Sequence, residues 1–477
     1  MKASILGYGT YLPRYRIPRE EIARAWGGKG RGENAVAWVN EDIITMAIEA
    51  AHNALTHSGV RPDEIGAIYL GTESSPFIEL STIGVIGAAL GLRPDIDVVD
   101  FGASTRAATA ALKTATDAVC AGRIHKALVI GSDSRQPSPG GELEQGFGAG
   151  AAALVIGEGP GVAQIYGSFT YATSFRDTWR ATSEPHVRLF EPRYSREYGY
   201  AKHVTEAVQG LLSEMGATIP DYHHLVLYQP DERASRGVAR SLGATPAQVE
   251  AADLFPQVGD AGAALVFLSL AAVLDVAGEG ERVLACSYGS GASDAFAFTV
   301  TGKGKAAAMT LDAYLKSKDY LDYTTLLKLR GLLKDPSPPA KMGLPPMSPL
   351  ISREMSELLR PLGAKCRRCG YVNFPPSERR ICIRCGDTSF DTVLLPRRGQ
   401  IHTFCINFYL PAGFDESPLP VIIADLEDGT RHRALGTEMK TEDVKVDREV
   451  ELVVRRLATE DSVNLYGNVF RFLRQAA

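Results

Sequence analysis

Four cysteines near the end of the chain have the spacing of a metal site. They are Cys366, Cys369, Cys382 and Cys385, which form two Cys-x-x-Cys-Gly units with the twelve residues 370–381 between Cys369 and Cys382. A two-residue spacer lets both thiolates of a unit face one tetrahedral centre, and the following glycine permits the tight turn. Four thiolates saturate Zn²⁺ and leave no open position. The spacing therefore predicts a structural zinc ribbon rather than a catalytic metal.

Basic side chains surround these cysteines and raise the question of nucleic-acid binding. They are Lys365, Arg367, Arg368, Arg379, Arg380 and Arg384. Aromatic residues do not interleave with them as they do in platforms for single strands. Residues 346–477 also carry 19 basic and 18 acidic side chains, so this part of the chain has almost no net positive charge. We expect this face to contact an anionic small molecule or a neighbouring subunit, and no nucleic acid.

The composition is typical of a soluble globular protein. The 477 residues include 51 Lys plus Arg and 56 Asp plus Glu, a formal net charge of −5. This balance supplies no field that would attract nucleic acid or an anionic membrane. No run of about 18 apolar residues is present to span a bilayer. Seven cysteines, an odd number with four clustered, favour a reducing compartment. We expect a cytoplasmic protein of two or three domains with no membrane partner.

Buried strands alternate with amphipathic helices over the first 300 residues. Strand centres are predicted at Ser4–Leu6, Ala67–Leu70, Ala127–Ile130, Ala151–Ile156, Leu225–Leu227 and Val283–Ala285. Helices are predicted at Asp42–Ser58, Ala107–Ala121, Val204–Met215, Arg233–Leu242 and Ala261–Ala277. The alternation indicates an α/β sheet covered on both faces. The layout runs twice, because a small-residue segment leads into a strand at both 148–156 and 289–300.

The sequence changes character after about residue 302. Thr310–Leu333 is amphipathic and predicts a helix, and the prolines that follow, between 336 and 346, favour an extended connection. A predicted helix at Ser352–Leu359 and the cysteines come next. Short alternating segments then occur at Gln400–Phe408, Val421–Leu426, Arg433–Glu438 and Glu449–Arg456. Together with a turn at Asp428–Gly429 they predict a small β-barrel or sandwich.

Several motifs occur in order between residue 1 and about residue 332. They are Gly71–Ser74, Asp100–Leu112, Leu128–Asp133, Gly148–Leu154, Asp177–Arg180, Tyr200–Val204, Gln229–Pro230, Ser287–Ala292 and Tyr320–Gly331. This set resembles the hydroxymethylglutaryl-CoA synthase branch of the thiolase superfamily, especially its archaeal-type enzymes. Residues 346–477 resemble the DUF35 family, a zinc ribbon joined to an OB-fold that is usually encoded as a separate partner of thiolase-like enzymes.

The resemblance implies a fold class and a set of partners. The fold would be α/β, with a thiolase-like duplicated five-layer αβαβα core followed by a rubredoxin-like zinc ribbon and a small β-barrel, the OB-fold. The expected divisions are 1–165 and 166–302 for the two halves, 303–345 for a helical and Pro-rich linker, 346–395 for helix and ribbon, and 396–477 for the OB-fold. An acyl-CoA substrate, with coenzyme A as part of it, and a homodimer through the core are also implied.

The chain departs from the family at the residues that carry its chemistry. The family's nucleophilic Cys is replaced by Thr105, or by Ser104 if a one-residue gap falls later. Its His before Gln-Pro is replaced by Tyr228, and its Asn by Asp260 in an alignment that needs a gap. Glu73 is retained. By the same resemblance, the residues expected to bind substrate or CoA are Arg106, Trp179, Arg180, Lys202, Ser290 and Gly291.

These replacements weaken acyl transfer more than aldol chemistry. A Ser or Thr hydroxyl needs an adjacent base to become a nucleophile, and the family's His is absent. Tyr228, with an ordinary pKa of about 10, is a better proton donor or enolate stabiliser than base. The leading hypothesis is an acyl-CoA aldolase, specifically a retro-aldol lyase acting on a 3-hydroxyacyl-CoA, with Glu73 or Tyr228 taking the proton of the 3-hydroxyl.

Two alternatives stay open. Ser104 or Thr105 could be acylated, which would make the protein an acyltransferase or a Claisen-type synthase. The thiolase-like part could instead be a catalytically inactive CoA-binding scaffold. Certain Cys-less thiolase-like aldolases that pair with DUF35 partners resemble this chain in their parts, and that analogy favours the aldolase hypothesis.

Overall fold

The computed structural model describes residues 3–305, 309–333, 355–376, 380–410, 416, 418–460 and 462–474. The strands are β1 (Ala3–Tyr11), β2 (Tyr15–Pro18), β3 (Glu33–Val36), β4 (Ala67–Gly71), β5 (Asp97–Phe101), β6 (Lys126–Ser134), β7 (Ala149–Glu158), β8 (Ala163–Ala172), β9 (Thr178–Trp179), β10 (Arg188–Leu189), β11 (His224–Leu227), β12 (Arg282–Cys286), β13 (Ala292–Val300), β14 (Asp319–Tyr320), β15 (Leu362–Cys366), β16 (Val372–Asn373), β17 (Phe390–Leu394), β18 (Arg398–Asn407), β19 (Leu419–Leu426), β20 (Arg431–Leu435), β21 (Glu449–Glu460) and β22 (Val463–Phe472).

The helices occur between these strands. They are α1 (Arg19–Trp26), α2 (Ile43–Ser58), α3 (Ile83–Leu90), α4 (Ala107–Cys120), α5 (Pro192–Tyr194), α6 (Lys202–Met215), α7 (Glu232–Ser241), α8 (Pro246–Glu250), α9 (Phe255–Val258), α10 (Leu265–Val276), α11 (Leu311–Lys316) and α12 (Tyr323–Leu329). A π-helical turn occupies Ser195–Ala201, and short 3₁₀ turns lie at Pro62–Glu64, Ile219–Asp221, Gly262–Ala264 and Thr441–Asp443. Among the described residues, none of the helices is both long enough and apolar enough to cross a membrane.

A nine-stranded mixed sheet consists of two halves, and the four strands of the second half repeat the order of the first half without a counterpart of β5. The order is β11-β12-β13-β8-β1-β7-β6-β4-β5. In each half the first strand, β1 or β8, lies beside the last, β7 or β13. The two halves join where β1 pairs with β8 at Ser4–Gln164 and Ile5–Ala163. The duplicated α/β core predicted from the sequence is confirmed.

Helices cover both faces of each half. α2 packs on β1 and β7, and α6 packs on β8 and β13. α10 contacts β7 of the first half and β11 of the second, and α4 contacts β4 and β6 while its Thr109 hydroxyl donates to Asp294 of β13 at 2.9 Å, so these two helices lie between the halves. Strands covered on both faces are apolar throughout, and Ala67–Gly71 is buried at every position. The layers follow the expected αβαβα order.

The helix predicted at Thr310–Leu333 is wrong as a single element. The chain forms α11, then the two-residue strand β14, then α12. β14 pairs in parallel with β2, Asp319 beside Tyr15, and this tertiary pairing interrupts the helix. Asp322 then begins α12, since its carboxylate accepts a hydrogen bond from the Thr325 amide at 2.8 Å. The predicted helix at Ser352–Leu359 is helical from 355 to 359, and its beginning lies outside the described residues.

The last third of the chain forms two small sheets. β15, β16 and β17 make a three-stranded sheet that holds the cysteine units. β18 to β22 make a five-stranded sheet in the order β20-β19-β18-β21-β22, and a bridge between Gly436 and Phe470 brings its edges together into a nearly closed barrel. Apolar side chains such as Ile401, Ile422 and Val450 fill its interior. The predicted small barrel is confirmed.

Buried charges attach the barrel to the core. We call them the junction cluster: Tyr11, Glu41, Glu49, Glu438, Arg455, Arg471 and Arg474. Arg455 Nη2 donates to Glu438 at 2.6 Å, to Glu41 at 3.0 Å and to the Tyr11 hydroxyl at 2.9 Å. The Arg455 side chain is 0% exposed. The barrel is therefore fixed to α2 and β1 by ionic contacts that water does not reach.

Candidate active site

Two parallel strand ends bring charged residues to one edge of the first half. β4 and β6 pair in parallel, with Gly71 beside Gly131. Glu73 follows the end of β4, and Asp133 and Arg135 lie at the end of β6. In open α/β sheets, ligands bind at the carboxyl ends of the strands. The topology places these three side chains where such a ligand would be.

The second half adds residues from its own strand ends. Tyr228 directly follows β11, and the loop from Ser287 to Gly291 follows β12. Asp260 lies between α9 and α10, and its amide donates to the Gly146 carbonyl of the first half at 2.7 Å. The side chains that meet there form the site cluster, which consists of Glu73, Asp133, Arg135, Tyr228 and Asp260. The site cluster therefore lies at the junction of the two halves.

Arg135 is the centre of the site cluster. Its Nη2 donates to Asp260 Oδ2 in a close contact and to the Tyr228 hydroxyl at 3.3 Å, and its Nη1 donates to Glu73 Oε2 at 3.4 Å. The guanidinium also stacks on Phe147, 4.1 Å from the ring centroid. Burial alone would lower the pKa of Arg135, but the nearby anionic groups raise it, so the guanidinium keeps its charge.

Asp133 holds the loop that carries Glu73. Its Oδ1 accepts from the Glu73 amide at 2.8 Å, and from the amide and hydroxyl of Ser74 at 3.0 and 2.6 Å. Its Oδ2 accepts from the Ala263 amide of the second half at 2.7 Å. Burial raises the pKa of Asp133, although Arg135 and these hydrogen bonds act in the opposite direction. The carboxylate positions Glu73 and joins the two halves.

Glu73 has the properties of a proton-transferring carboxyl group. Its side chain is 22% exposed, and its ion pair is the long contact with Arg135. Burial raises the pKa of Glu73 to about 7; Arg135 lowers it and the charges of Asp133 and Asp260 raise it. A group with a pKa near the working pH is effective as a general acid or base. The retained glutamate is thus able to accept and return a proton at neutral pH.

Tyr228 is a hydrogen-bond donor in this setting. Its hydroxyl donates to Asp260 Oδ1 at 2.7 Å, and Asp260 Oδ1 also accepts from the Gly262 amide at 2.9 Å. Burial, and after it the Asp260 carboxylate, hold the pKa of Tyr228 well above its ordinary value. A phenol with so high a pKa keeps its proton. Of the two bases considered from the sequence, the geometry favours Glu73.

The hydroxyls of Ser104 and Thr105 bond to backbone carbonyls. Thr105 Oγ1 donates to the Tyr288 carbonyl at 2.6 Å, and Ser104 Oγ donates to the Gly289 carbonyl at 3.2 Å. Within the described part of the chain, neither hydroxyl has a hydrogen bond to a His or a carboxylate. A Ser or Thr nucleophile requires such a base. Neither hydroxyl is therefore activated as a nucleophile in this structure.

The residues expected to bind the substrate or CoA lie in different parts of the structure. Arg106 forms two hydrogen bonds with Asp294, at 3.0 and 2.9 Å, and so supports the packing of α4 on β13. Arg180 Nη2 donates to the Glu73 carbonyl at 3.2 Å, next to the site cluster. Lys202 is the first residue of α6.

Gly291 fits a position that other residues would not occupy. Its φ is +81°, and a Cβ there would lie 2.4 Å from the Phe175 carbonyl oxygen. Its neighbour Ser290 has a φ of 37° and donates to the Thr178 carbonyl at 2.8 Å. The loop is therefore held tightly beside Thr105. Contacts of these residues with CoA stay a prediction.

Two adjoining cavities meet at Arg135, Thr178 and Ser290. The inner cavity, of about 120 Å³, is also lined by Thr105, Tyr228, Asp260, Tyr288, Ser195 and Tyr200. The outer cavity, of about 470 Å³, is also lined by Glu73, Ser74, Trp179 and Arg180. The inner volume is enough for several waters or a short acyl group. The catalytic residues expected from the sequence line these two cavities, apart from Ser104, which neighbours Thr105.

Sequence reasoning missed two members of the site cluster, Asp133 and Arg135. Both come at the end of a buried apolar strand that is parallel to the strand preceding Glu73. Charged residues directly after such a strand are candidates for the ligand-binding edge. That signal was present in the sequence. The contact of Arg135 with Asp260, 125 positions later in the chain, was not.

The four clustered cysteines converge as their spacing predicts. All four sulfur atoms lie within 4.8 Å of one another. The Sγ atoms of Cys366 and Cys385 are 3.6 Å apart, as are those of Cys369 and Cys382. Asn373 Nδ2 lies 3.7 Å from the Cys382 sulfur and donates to it. Four thiolates in this arrangement suit a soft tetrahedral metal site.

Comparisons with known proteins identify the class of the core. A scan against models of protein families finds no match. Among solved structures, MvaS in complex with 3-hydroxy-3-methylglutaryl coenzyme A superposes with a TM-score of 0.63 at 20% identity, covering 71% of this chain and 95% of that one. 3-Oxoacyl-[acyl-carrier-protein] synthase III of Aquifex aeolicus superposes with a TM-score of 0.58 at 21% identity, covering 62% and 99%. The core has the thiolase fold.

Relatives in sequence define the family more narrowly. The hydroxymethylglutaryl-CoA synthase of Methanopyrus kandleri is 39% identical over 345 residues, which are 70% of this chain and 98% of that protein. That of Methanocaldococcus jannaschii is 38% identical over 344 residues, 70% and 99% of the two chains. The chain belongs to the hydroxymethylglutaryl-CoA synthase family. The match covers the N-terminal part of this chain, and the ribbon and barrel lie outside it.

Proposed function

We propose that the protein breaks or forms the bond between C2 and C3 of a 3-hydroxyacyl-CoA by aldol chemistry, with cleavage as the leading direction. The observation that carries this proposal is Glu73, whose pKa burial raises to about 7 beside the charged Arg135. Such a carboxylate is suited to take a proton from an alcohol and return it to carbon. The family's retained residue thus keeps its function while the acylated residue is lost.

The cleavage balances without an oxidant or a further reactant. The Glu73 carboxylate accepts the proton of the 3-hydroxyl, the C3 oxygen forms a carbonyl, and the C2–C3 bond breaks. Its electron pair passes to C2 and gives the enolate of the remaining thioester. Glu73 then returns the proton to C2. The products are an aldehyde or ketone and a shortened acyl-CoA.

Donors around the cavities would stabilise the charges that develop. Tyr228 and Arg135 are hydrogen-bond donors that stay protonated, and they would hold the oxygen at C3. Backbone amides at Thr105 and around Ser290 would hold the thioester enolate. Donors fixed before the reaction stabilise such oxyanions because they need no reorganisation. Water-poor surroundings strengthen each of these contacts.

Acyl transfer is the second candidate, and one observation favours it. Thr105 lines the inner cavity, where an acyl group would have to reach it. Its hydroxyl, however, donates to a backbone carbonyl and has no base beside it in the described structure. An inactive CoA-binding scaffold would not require a carboxyl group with a near-neutral pKa. Both alternatives are therefore less well supported than aldol chemistry.

One experiment separates the three functions. The purified full chain is incubated with 3-hydroxyacyl-CoA esters and, separately, with acyl-CoA esters, and both the products and the intact protein mass are recorded. We expect a carbonyl product and a shortened acyl-CoA, with no adduct on the protein. A stable acyl adduct at Ser104 or Thr105 would contradict the aldolase function. Absence of any CoA-dependent turnover would indicate a scaffold.

We also propose that the four ribbon cysteines hold one structural Zn²⁺. Cys366, Cys369, Cys382 and Cys385 supply four thiolates and leave no open position, which is the pattern of structural zinc. Elemental analysis should find about one zinc per chain. A chelator should release it and unfold the ribbon while the cleavage step of the core persists. Loss of a chemical step alone, with the ribbon still folded, would contradict a structural role.

The ribbon and barrel support an assignment as a fused DUF35-like unit with an OB-fold, and the core supports a homodimer. β5 is an edge strand, and its Val98 and Val99 are 53% and 40% exposed. An exposed apolar edge strand is a template for pairing with a second chain. We expect a dimer by light scattering and a monomer for Val99→Lys. A monomeric native protein would contradict this assignment.

A further inference from the structure

Ser195 carries a buried hydroxyl with no partner in the wall of the inner cavity. The residue is 5% exposed, and its Oγ has no hydrogen bond among the described residues. Nearly all buried polar side-chain atoms in folded proteins are hydrogen-bonded, because an unpaired buried hydroxyl loses its contacts with water. Ser195 lines the same cavity as Thr105 and Tyr228. A ligand in this cavity that meets the Ser195 hydroxyl would supply the missing partner.

The other hydroxyls of the inner cavity are already paired within the protein. Thr105 donates to the Tyr288 carbonyl, Tyr200 to the Tyr228 carbonyl, and Ser290 to the Thr178 carbonyl. The Tyr288 hydroxyl donates to Asp177, and that of Tyr228 to Asp260. Among the described lining residues, the other buried polar side-chain atom without a partner is Arg135 Nε, within the site cluster. Ser195 is thus a hydroxyl of this cavity that is able to bond to a ligand, while the other hydroxyls named here already have partners in the protein.

The backbone around Ser195 is also unusual. Ser195 begins the π-helical turn that runs to Ala201 and leads into α6. π-Helical turns are rare and occur frequently at functional sites. The same turn contains Tyr200, whose hydroxyl holds the carbonyl of Tyr228 in the site cluster. The turn therefore ties the position of Ser195 to the residues proposed to act on the substrate.

The charges around the cavity restrict what Ser195 can bind. Three carboxylates line it, on Asp177, Asp231 and Asp260, against the two guanidinium groups of Arg135 and Arg196. This excess of negative charge disfavours a carboxylate on the acyl chain. The remaining walls include the apolar side chains of Leu143, Phe147, Leu189 and Pro192. A hydroxyl both donates and accepts, so a neutral oxygen group fits this surface best.

We infer that Ser195 selects acyl chains that carry a neutral oxygen function, a hydroxyl or a ketone, beyond C3. The inference rests on the proposed function and specifies its substrate as an oxygenated 3-hydroxyacyl-CoA. It distinguishes this chain from relatives named for hydroxymethylglutaryl-CoA, whose acyl group ends in a carboxylate. Ser195 is a specificity residue in this assignment and takes no part in proton transfer.

The test measures binding separately from cleavage. Hexanoyl-CoA and its 4-, 5- and 6-hydroxy derivatives lack the 3-hydroxyl and cannot be cleaved, so calorimetry reports affinity alone. We expect at least one hydroxy ester to bind about tenfold more tightly than hexanoyl-CoA, the effect of one hydrogen bond. Ser195→Ala should remove this preference. Thr178→Val is the matched control, because the Thr178 hydroxyl is already bonded to Ser290 and its loss should leave the preference intact.

Two results would overturn the inference. One is equal affinity of the native protein for all four esters, or a preference that persists in Ser195→Ala. The other is a lower Tm for Ser195→Ala, since removing a hydroxyl without a partner should leave the Tm unchanged or raise it. If the preference is found but the corresponding 3-hydroxy esters are not cleaved, the aldolase function fails and the Ser195 assignment stands.

Discussion

The site cluster and the junction cluster both combine buried arginine, carboxylates and a tyrosine, with one arginine in the site cluster and three in the junction cluster. In the junction cluster, burial alone would raise the pKa of Glu438, but Arg455, Arg474 and Arg471 lower it to about 2. In the site cluster, Glu73 has one arginine at 3.4 Å and two other carboxylates nearby, and its pKa is raised to about 7. Similar residue types thus give carboxyl groups that differ by about five pKa units.

The number and distance of cations account for this difference. A buried carboxylate is destabilised by the loss of water and is restored only by close positive charge. Glu438 has Arg455 at 2.6 Å and Arg474 at 3.3 Å, so it stays ionised and acts as a structural contact. The positive charge near Glu73 does not offset the cost of burying its carboxylate, so Glu73 gains and loses its proton near neutral pH. An incomplete ion pair is what makes a carboxyl group of this core available for chemistry.

Glu73→Gln should have the largest effect on activity. The amide keeps the shape of the side chain but cannot accept the proton of the 3-hydroxyl. We expect cleavage to fall by about 10²- to 10⁴-fold, the usual contribution of a general base, with Tm close to that of the native protein. Steady-state kinetics and thermal unfolding measure the two quantities. Full turnover in this variant would remove Glu73 from the mechanism.

Arg455→Met should have the largest effect on stability. It leaves Glu41 and Glu438 buried without their closest cation, and breaking a buried ion pair in this way costs about 3 to 5 kcal/mol. The free energy of unfolding is measured in urea. Arg431→Met is the matched control, because Arg431 pairs with Asp425 on the exposed surface and its loss should have a much smaller effect. Equal losses in both variants would show that the junction cluster is not special.

The two clusters should respond to pH in different ranges. Glu73 must be ionised to act, so kcat/KM should rise with pH through about 7. Glu438 and Glu49 have folded-state pKa values of about 2, below their ordinary value of 4.5. Their contribution to stability is present above about pH 4.5 and is lost as the pH falls towards 2. The folded-state pKa of Glu73 is raised from 4.5 to about 7, so its contribution to stability has the opposite pH dependence. That contribution is present at low pH and is lost as the pH rises through about 7.

Measurements of rate and of unfolding free energy against pH test both halves of this prediction. Glu73→Gln should abolish the titration near pH 7 in the unfolding data and leave the acid limb unchanged. A rate profile that is flat between pH 6 and pH 8 would mean that another group transfers the proton.

Thr105→Val should have the smallest effect. The substitution removes a hydroxyl whose one hydrogen bond in the described structure goes to a backbone carbonyl, and it keeps the volume of the side chain. We expect kcat to change by less than about fivefold, in line with one ordinary hydrogen bond. Kinetics with the same 3-hydroxyacyl-CoA measure it. A complete loss of turnover would instead point to acylation of Thr105.

Much of the fold is visible in local pattern. The apolar runs at Ala67–Leu70 and Leu225–Leu227 lie in β4 and β11, and the cysteine spacing identifies the ribbon. Thr310–Leu333 failed as one helix because Asp319 pairs with β2, a contact that the local sequence does not encode. Glu73 was found from its motif. Arg135 was missed because its importance comes from residues far along the chain.

The sequence alone determined the duplicated α/β core and the four converging cysteines. Both follow from residue type and spacing over short distances. Only the tertiary structure decided that Arg135 lies between Glu73 and Asp260, and that Ser195 has no partner in its cavity. Burial and the distance between charges set the pKa of a carboxyl group, and both are properties of the folded chain.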